Sequence, residues 1–283
     1  MKYSAENPQV VRFDSWGSYL DYCDTATATM TRRSSRDRES GSWDGNVAWS
    51  GALELARNGW LEGAKRIEAT SHKLEAKLIR NIVREEWNYS TDGDAWDIGR
   101  VLADEPEHWI KREEVEDSTG SRHVKITVDL AASGGVSSNM LEARGAAIVA
   151  AIELLEYAGY RCEVHVAFMV AARYKANPIY ICTALLKAYD QPIDLPRLAF
   201  ALAHAASLRR IGFSALECAN RTITVELEGN YGYPSTPPES MTSDTDVFMS
   251  SAGLHDTDWE NPECAERWII QQLETQGISL INE

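Results

Sequence analysis

Basic residues are scarce in this chain. Its 283 residues carry 28 Lys and Arg against 43 Asp and Glu, a formal net charge of −15. Non-specific nucleic-acid binding rests on neutralising phosphates, so a surface this acidic counts against it. Long apolar runs are missing as well. No stretch approaches the roughly 18 apolar residues of a membrane span, and Met1 to Pro8 holds no apolar signal core. Cysteine is sparse. The five, Cys23, Cys162, Cys182, Cys218 and Cys264, are odd in number and include no C-x-x-C. That argues against a disulfide framework and against zinc-finger spacing. These absences predict a soluble, cytoplasmic protein with free thiols and no membrane partner.

Signature motifs are missing too. There is no G-x-x-x-x-G-K-[ST], no G-x-G-x-x-G after a strand, no G-x-S-x-G and no H-E-x-x-H. Phosphate-loop NTPases, dinucleotide oxidoreductases, α/β-hydrolases and common zinc proteases all lose weight. The six His are isolated from one another in sequence. His204, in an apolar helical run, reads as a packed or capping residue.

What is present is a 44% hydrophobic composition with nine Trp, most of them in the first half. They predict a core rich in large aromatics. Charge is uneven: from Ile211 onward thirteen acidic residues face only Arg221 and Arg267. One basic cluster, Arg32, Arg33, Arg36 and Arg38, sits in a Ser/Thr-rich segment and reads as a loop that meets the chain's own acidic half.

Along the chain, Phe13–Asp24 has helical spacing, with Trp16, Tyr19, Leu20 and Cys23 on one face. Asn46 is the expected cap of a second helix that stops at Asn58-Gly59, and Trp60 opens a third reaching about Arg80. Glu85–Asp97 reads as strand then turn. Short helical pieces are expected at 97–103 and 107–110, with a polar break at 113–122 turning at Ser118–Gly120.

His123–Leu130 alternates and carries β-branched residues, which suits a strand. A small, Gly/Ser-rich loop follows. Asn139 and Glu142 have capping-box spacing for a helix over 139–158, Gly159 stops it, and Cys162–Phe168 returns as a strand. Ile179–Lys187 is a nearly continuous apolar run, as in a buried parallel strand. Asp194 and Pro196 start a helix that runs to about Arg209. Thr222–Glu228 alternates like a strand, 247–250 is a last short strand, and Asn261-Pro262 opens a final helix. The expected fold is α/β, a mainly parallel sheet flanked by helices, with residues 1–112 a helical N-terminal region and 113–283 the α/β domain.

In a parallel sheet, Asp129 and Ser133 after one strand and Asp190 and Asp194 after another emerge at the same carboxyl edge, where open α/β sheets bind ligands. The candidate binding edge is therefore Asp129, Ser133, Ser137, Asp190 and Asp194. Its oxygen ligands suit Mg²⁺ or Ca²⁺, with Asp129, Ser133 and Asp194 as the metal set.

Val124–Ser133, the helix with Arg144-Gly-Ala-Ala-Ile-Val, and Gly159-Tyr-Arg-Cys-Glu-Val-His resemble the first β-α-β unit of a von Willebrand factor A domain. The resemblance implies that fold and a divalent-ion loop of Asp-x-Ser-x-Ser form, with a Thr, here Thr183, and a second Asp. Ala131 stands where the first Ser is needed and only Ser133 matches, so the implied site is degenerate, binding Mg²⁺ or Ca²⁺ weakly. The whole chain also resembles uncharacterised proteins of tailed phages and mobile elements. The carrying residues are Trp43–Trp49, Asn58–Gly63, Asp104–Glu107, Arg144–Ala147, Arg197–His204 and Arg209–Phe213. That resemblance implies a viral or mobile-element setting in a host cytoplasm.

The leading expectation is a non-enzymatic interaction protein, a scaffold or accessory whose partner is a viral or host protein. One alternative is a metal-dependent phosphoryl-transfer or nuclease-type enzyme using Asp129, Asp190 and Asp194. Another is a single-strand nucleic-acid binder using the Trp residues and the Arg32–Arg38 cluster.

Overall fold

The computed structural model describes residues 3–30, 35–78, 84–115, 122–157, 159–227 and 231–258, with 264, 267, 268, 270 and 271 beyond them. Arg32, Arg33, the turn at Ser118–Gly120 and most of the helix expected from Asn261 lie outside these residues.

The chain begins with β1 (Gln9–Phe13), which sequence reasoning missed, and α1 (Trp16–Thr25). Ser15 caps α1 by accepting the Ser18 N–H at 3.1 Å. Trp16, Tyr19, Leu20 and Cys23 are buried, as their spacing predicts. α2 (Trp49–Asn58) is preceded by Ala48 as its cap, and Asn46 instead takes a left-handed turn conformation at φ +59. Gly59 ends α2 at φ +88, packed where a Cβ would meet Pro196. α3 (Leu61–Leu78) follows.

β2 (Arg84–Ser90), β3 (Ala95–Trp96), α4 (Ile98–Leu102) and β4 (Trp109–Val115) form an accessory unit. Its strands make an antiparallel sheet in the order β2-β4-β3. Residues 109–110, expected in a helical piece, are strand because Trp109 and Ile110 pair with Trp96 and Ala95. The Asp97 side chain caps α4 by accepting the Gly99 and Arg100 N–H groups.

Next come β5 (Arg122–Asp129), α5 (Ser138–Tyr157), β6 (Tyr160–Ala171) and β7 (Tyr180–Lys187). α6 (Leu195–Ala203) ends at His204, and a π-turn at Ser207–Gly212 leads into α7 (Phe213–Glu217). The continuous helix expected over 195–209 is thus broken in two. α8 (Arg221–Glu226), β8 (Tyr233–Pro234), α9 (Glu239–Thr242) and β9 (Val247–Met249) complete the described elements. α8 replaces the strand expected over 222–228. Asn220 caps it through the Thr222 N–H at 3.0 Å, and Ile223 and Leu227, one helical turn apart, are both buried.

The main sheet runs β1-β7-β6-β5-β9, with β8 also paired to β6. Three neighbours are parallel: β1 with β7, β5 with β6, β5 with β9. β6 and β7 are antiparallel, with Val170 opposite Tyr180. The connector 172–179 is too short for a parallel crossover, which needs a dozen or more residues. The sheet is therefore mixed, though mostly parallel.

Alternation sorts its faces. Val124, Ile126, Val128, Val164, Val166, Phe168, Tyr180, Cys182 and Ala184 join one large core with residues of α1, α2, α3, α5, α6 and α7. The N-terminal helices thus share the core of the sheet. Ala167, Met169 and Ile181 face the other side, against Met241 and Phe248. All five cysteines are free thiols, and Cys23, Cys162 and Cys182 are buried.

Candidate functional site

Asp129 closes β5 inside the protein, with 0% of its surface exposed. One carboxylate oxygen accepts the Ala131 N–H at 3.0 Å and the Met169 N–H at 3.4 Å. The other has no hydrogen-bond partner. Burial pushes the carboxyl pKa up to about 7. Arg144, reaching in from α5, donates to the Asp129 and Ser250 carbonyls at 3.1 and 2.6 Å. Ser137 is exposed and caps α5, accepting the Met140 N–H at 3.2 Å. Asn139 does not hold that place, and Glu142 instead pairs with Arg66 at 2.7 Å. Ser133 is half-buried, and its N–H bonds the Ala252 carbonyl at 3.0 Å.

Asp190 and Asp194 lie elsewhere. Because β7 runs antiparallel to β6, its carboxyl end falls at the opposite edge of the sheet from Asp129. Asp190 is exposed in the turn after β7. Asp194 caps α6 through the Arg197 N–H at 3.1 Å and pairs with the Arg197 guanidinium. The expected edge therefore splits: Asp129, Ser133 and Ser137 stay together, and Asp190 and Asp194 are removed. Thr183 is level with Ala167 and hence with Asp129, but two strands over, roughly 10 Å away.

A divalent ion does not fit the residues left. Asp129 offers one free oxygen, its second acid is at the far edge, and the Arg144 cation already lies beside it. A hard cation needs six or more oxygens. Among the described residues no group of three His, Cys, Asp or Glu is placed to hold a metal.

The same edge does hold a cavity of about 150 Å³. Ser133 and Gly134 line it from the loop after β5, and Phe168 and Val170 from β6. Trp43, Phe213, Tyr231 and Tyr233 supply further ring walls, and Arg209 the one cation among the described residues that line it. The Arg209 guanidinium lies 4.4 Å from the Trp43 ring centroid and donates to the Trp43 and Val136 carbonyls. Burial lowers its pKa to about 10. Arg38 covers the same Trp43 ring at 5.0 Å. Phe213 and Tyr231 stack at 3.9 Å, and the Tyr231 hydroxyl donates to Glu217 at 2.6 Å.

Arg210, next along the π-turn, is fully buried. It donates to the Val47, Ser35 and Arg38 carbonyls, and its Nη2 lies 2.8 Å from Asp44 as a charge contact rather than an aligned hydrogen bond. Arg36 donates to Ser214 at 2.9 Å and to the Ala26 carbonyl. Arg36 and Arg38 thus reach the chain's later half through Ser214 and Tyr231, and their partners include hydroxyls, a carbonyl and rings. Sequence reasoning missed Arg209 and Arg210 as site residues. Their signal is two adjacent cations inside the apolar run from Phe200 to Leu216.

A second feature lies on the accessory unit. Ile98, Val101 and Leu102 are exposed on α4, Leu102 to 83%, and Trp96 beside them is 61% exposed. Trp96 makes a T-shaped contact with Trp109, centroids 5.0 Å apart. Asp92, Asp94, Asp104, Glu105 and Glu107 are exposed around this patch. The nearby Arg100 is engaged with the Tyr89 ring at 3.7 Å and Glu105 at 3.0 Å.

Among the described residues no helix is long and apolar enough to cross a membrane. No curated protein and no solved structure matches the chain. A family model matches residues 3–279, nearly the whole length, and the protein therefore belongs to the family described as Domain of unknown function (DUF7192).

Proposed function

We propose that this protein is a non-enzymatic interaction module, a scaffold or accessory factor that captures a basic, apolar-anchored segment of a protein partner on the outer face of α4 and β3. The carrying observation is the exposed set Ile98, Val101 and Leu102, spaced i, i+3 and i+4 on α4 with Trp96 beside it. Burying one such side chain is worth roughly 1.5–3 kcal/mol. A contiguous apolar patch with a polar rim is the usual mark of a docking surface. The acidic rim selects the partner's charge: it favours Lys- and Arg-bearing segments and repels phosphate backbones.

The parallel β5-α5-β6 unit, with Asp129 ending its first strand, supports reading the central domain as von Willebrand factor A-like with a metal loop that has lost its ligands. The phage or mobile-element setting, with a viral or host protein as partner in a host cytoplasm, rests on the motif resemblance at Trp43–Trp49 and Arg144–Ala147.

The test is crosslinking mass spectrometry on the tagged protein in its native cells, comparing the parent with Trp96→Ser/Leu102→Ser. We expect a basic partner crosslinked next to residues 92–107, weakened by salt and lost in the double variant, whose thermal unfolding stays that of the parent. Partners retained by the double variant, or crosslinks that avoid residues 92–107, would overturn this reading.

A further inference from the structure

We infer that the cavity at the carboxyl ends of β5 and β6 binds a small molecule made of one aromatic ring bearing a carboxylate. Size comes first. About 150 Å³ is the volume of an apolar cavity that holds a single benzene-sized ring. The walls come next. Trp43, Phe168, Phe213 and Tyr231 present ring surfaces, and offset or edge contacts with a fifth ring are favourable. A phosphate or sugar would leave those walls wet.

Charge then selects the substituent. Arg209 is 2% exposed, yet its hydrogen bonds go to two carbonyls and use two of its five N–H donors. No carboxylate of the described residues forms an ion pair with it. The buried acid Asp44 is held by Arg210 at 2.8 Å. Asp44's charge reaches Arg209 but is shared with Arg210. A buried guanidinium with only a shared counter-charge and no direct ion pair is costly, and a planar carboxylate is the group that matches its fork. Ser133 also lines the cavity. Gly134 and Tyr233, both exposed, leave a way in from solvent. Arg38, over Trp43 and within 3.4 Å of the Tyr231 hydroxyl, strengthens the positive field at that side.

Benzoate is the probe. Its binding to the full chain is followed by calorimetry and by the shift of the Trp43 indole N–H signal, beside benzamide and acetate as comparators. We expect benzoate to bind at least ten-fold more tightly than either comparator. Ser133→Phe, which fills the cavity from its rim, should abolish binding. Arg209→Lys, which keeps charge but loses the fork, should weaken it about ten-fold. Should Arg209→Lys fail to fold, the comparator series and Ser133→Phe still decide. Equal affinity for benzoate and benzamide, benzoate binding that survives Ser133→Phe, or no benzoate binding at tens of millimolar would each overturn the inference.

Discussion

The His123 and Tyr189 rings stack at the amino end of β5, centroids 4.3 Å apart and planes 18° from parallel. Tyr189 lies two residues past Lys187, the end of β7, so Asp190 and Asp194 are carried to the edge where β5 begins. Asp129 ends β5 six residues after His123, roughly 20 Å along the strand at ~3.3 Å per residue. A stacked pair of rings thus marks the distance between carboxylates that a purely parallel sheet would have brought together. The phosphoryl-transfer and nuclease reading needed those acids at one edge, and it loses its ligand set.

Metal should therefore leave the protein unmoved. A ligand that binds only the folded state raises the unfolding temperature by linkage. With one free Asp129 oxygen and Arg144 alongside, the expected shift in millimolar Mg²⁺, Mn²⁺ or Ca²⁺ is negligible. Differential scanning fluorimetry with each ion checks this. A large upward shift that Asp129→Ala removes would show that a site forms despite the geometry.

Asp129 should instead be visible in the pH dependence of stability. Its carboxyl is pushed from 3.8 up to about 7 by burial. Between those values the unfolded chain holds fewer protons than the folded one, so stability falls as pH rises through the window and is level outside it. A displacement of that size is worth roughly 4 kcal/mol. His204 acts in the opposite sense: burial first, and then the Arg66 charge, lower its pKa from 6.5 to about 4. The unfolded chain holds more protons between those values, so this contribution is present above 6.5 and is lost as pH falls towards 4. The parent should show a shallow profile from pH 4 to 6.5. Asp129→Asn should climb across that range and stay level to pH 8. Urea midpoints against pH measure it, and parallel curves for the two proteins would refute the assignment.

Much of the fold was legible because local rules and tertiary packing agree over β5-α5-β6. Alternation, a capped helix and a glycine stop all point one way there. β7 was legible as a strand but not in direction: its apolar run says only that it is buried, while the short 172–179 connector, a signal outside the strand itself, says antiparallel. Residues 222–228 misled because β-branched Thr222, Ile223, Thr224 and Val225 favour strands, yet the Asn220 cap and the Ile223/Leu227 burial hold a helix. For the site, Ser133 was found by loop position. Arg209 was not, because its environment is assembled from Trp43, far away in sequence, and from a π-turn that no local pattern announces.

Asp44 and Arg210 form the most deeply buried ion pair among the described residues, 2.8 Å apart with side chains 3% and 1% exposed. Asp44 also accepts the Gly41 N–H at 2.9 Å. Asp44→Ala leaves a buried cation without its counter-charge and should cost about 3–5 kcal/mol. Asp44→Asn keeps the Gly41 bond and should cost less. Combining Asp44→Ala with Arg210→Met should recover part of the loss, because the orphaned charge goes too. Urea denaturation of the four proteins measures the coupling, and strictly additive losses would show that the pair does not act as one unit.

Gly145 should tolerate nothing larger. It lies in α5 where α6 crosses, and a Cβ there would sit 2.1 Å from the Leu202 carbonyl oxygen and 2.2 Å from the Ala203 Cα. Both are backbone atoms, so no rotamer change relieves the clash and the helices must part. Helix propensity alone predicts a gain of up to about 1 kcal/mol for Gly→Ala. Overpacking costs roughly 1–3 kcal/mol and more where backbone must move. The second effect should win, and Gly145→Ala should lower the unfolding free energy by at least about 2 kcal/mol. Gly134 is the control, since its Cβ would meet nothing within 4 Å. Gly134→Ala should therefore leave stability within about 0.5 kcal/mol of the parent. If Gly145→Ala instead stabilises, α5 and α6 cross farther apart than this packing requires, and the placement of the π-turn that carries Arg209 and Arg210 would have to be redrawn with them.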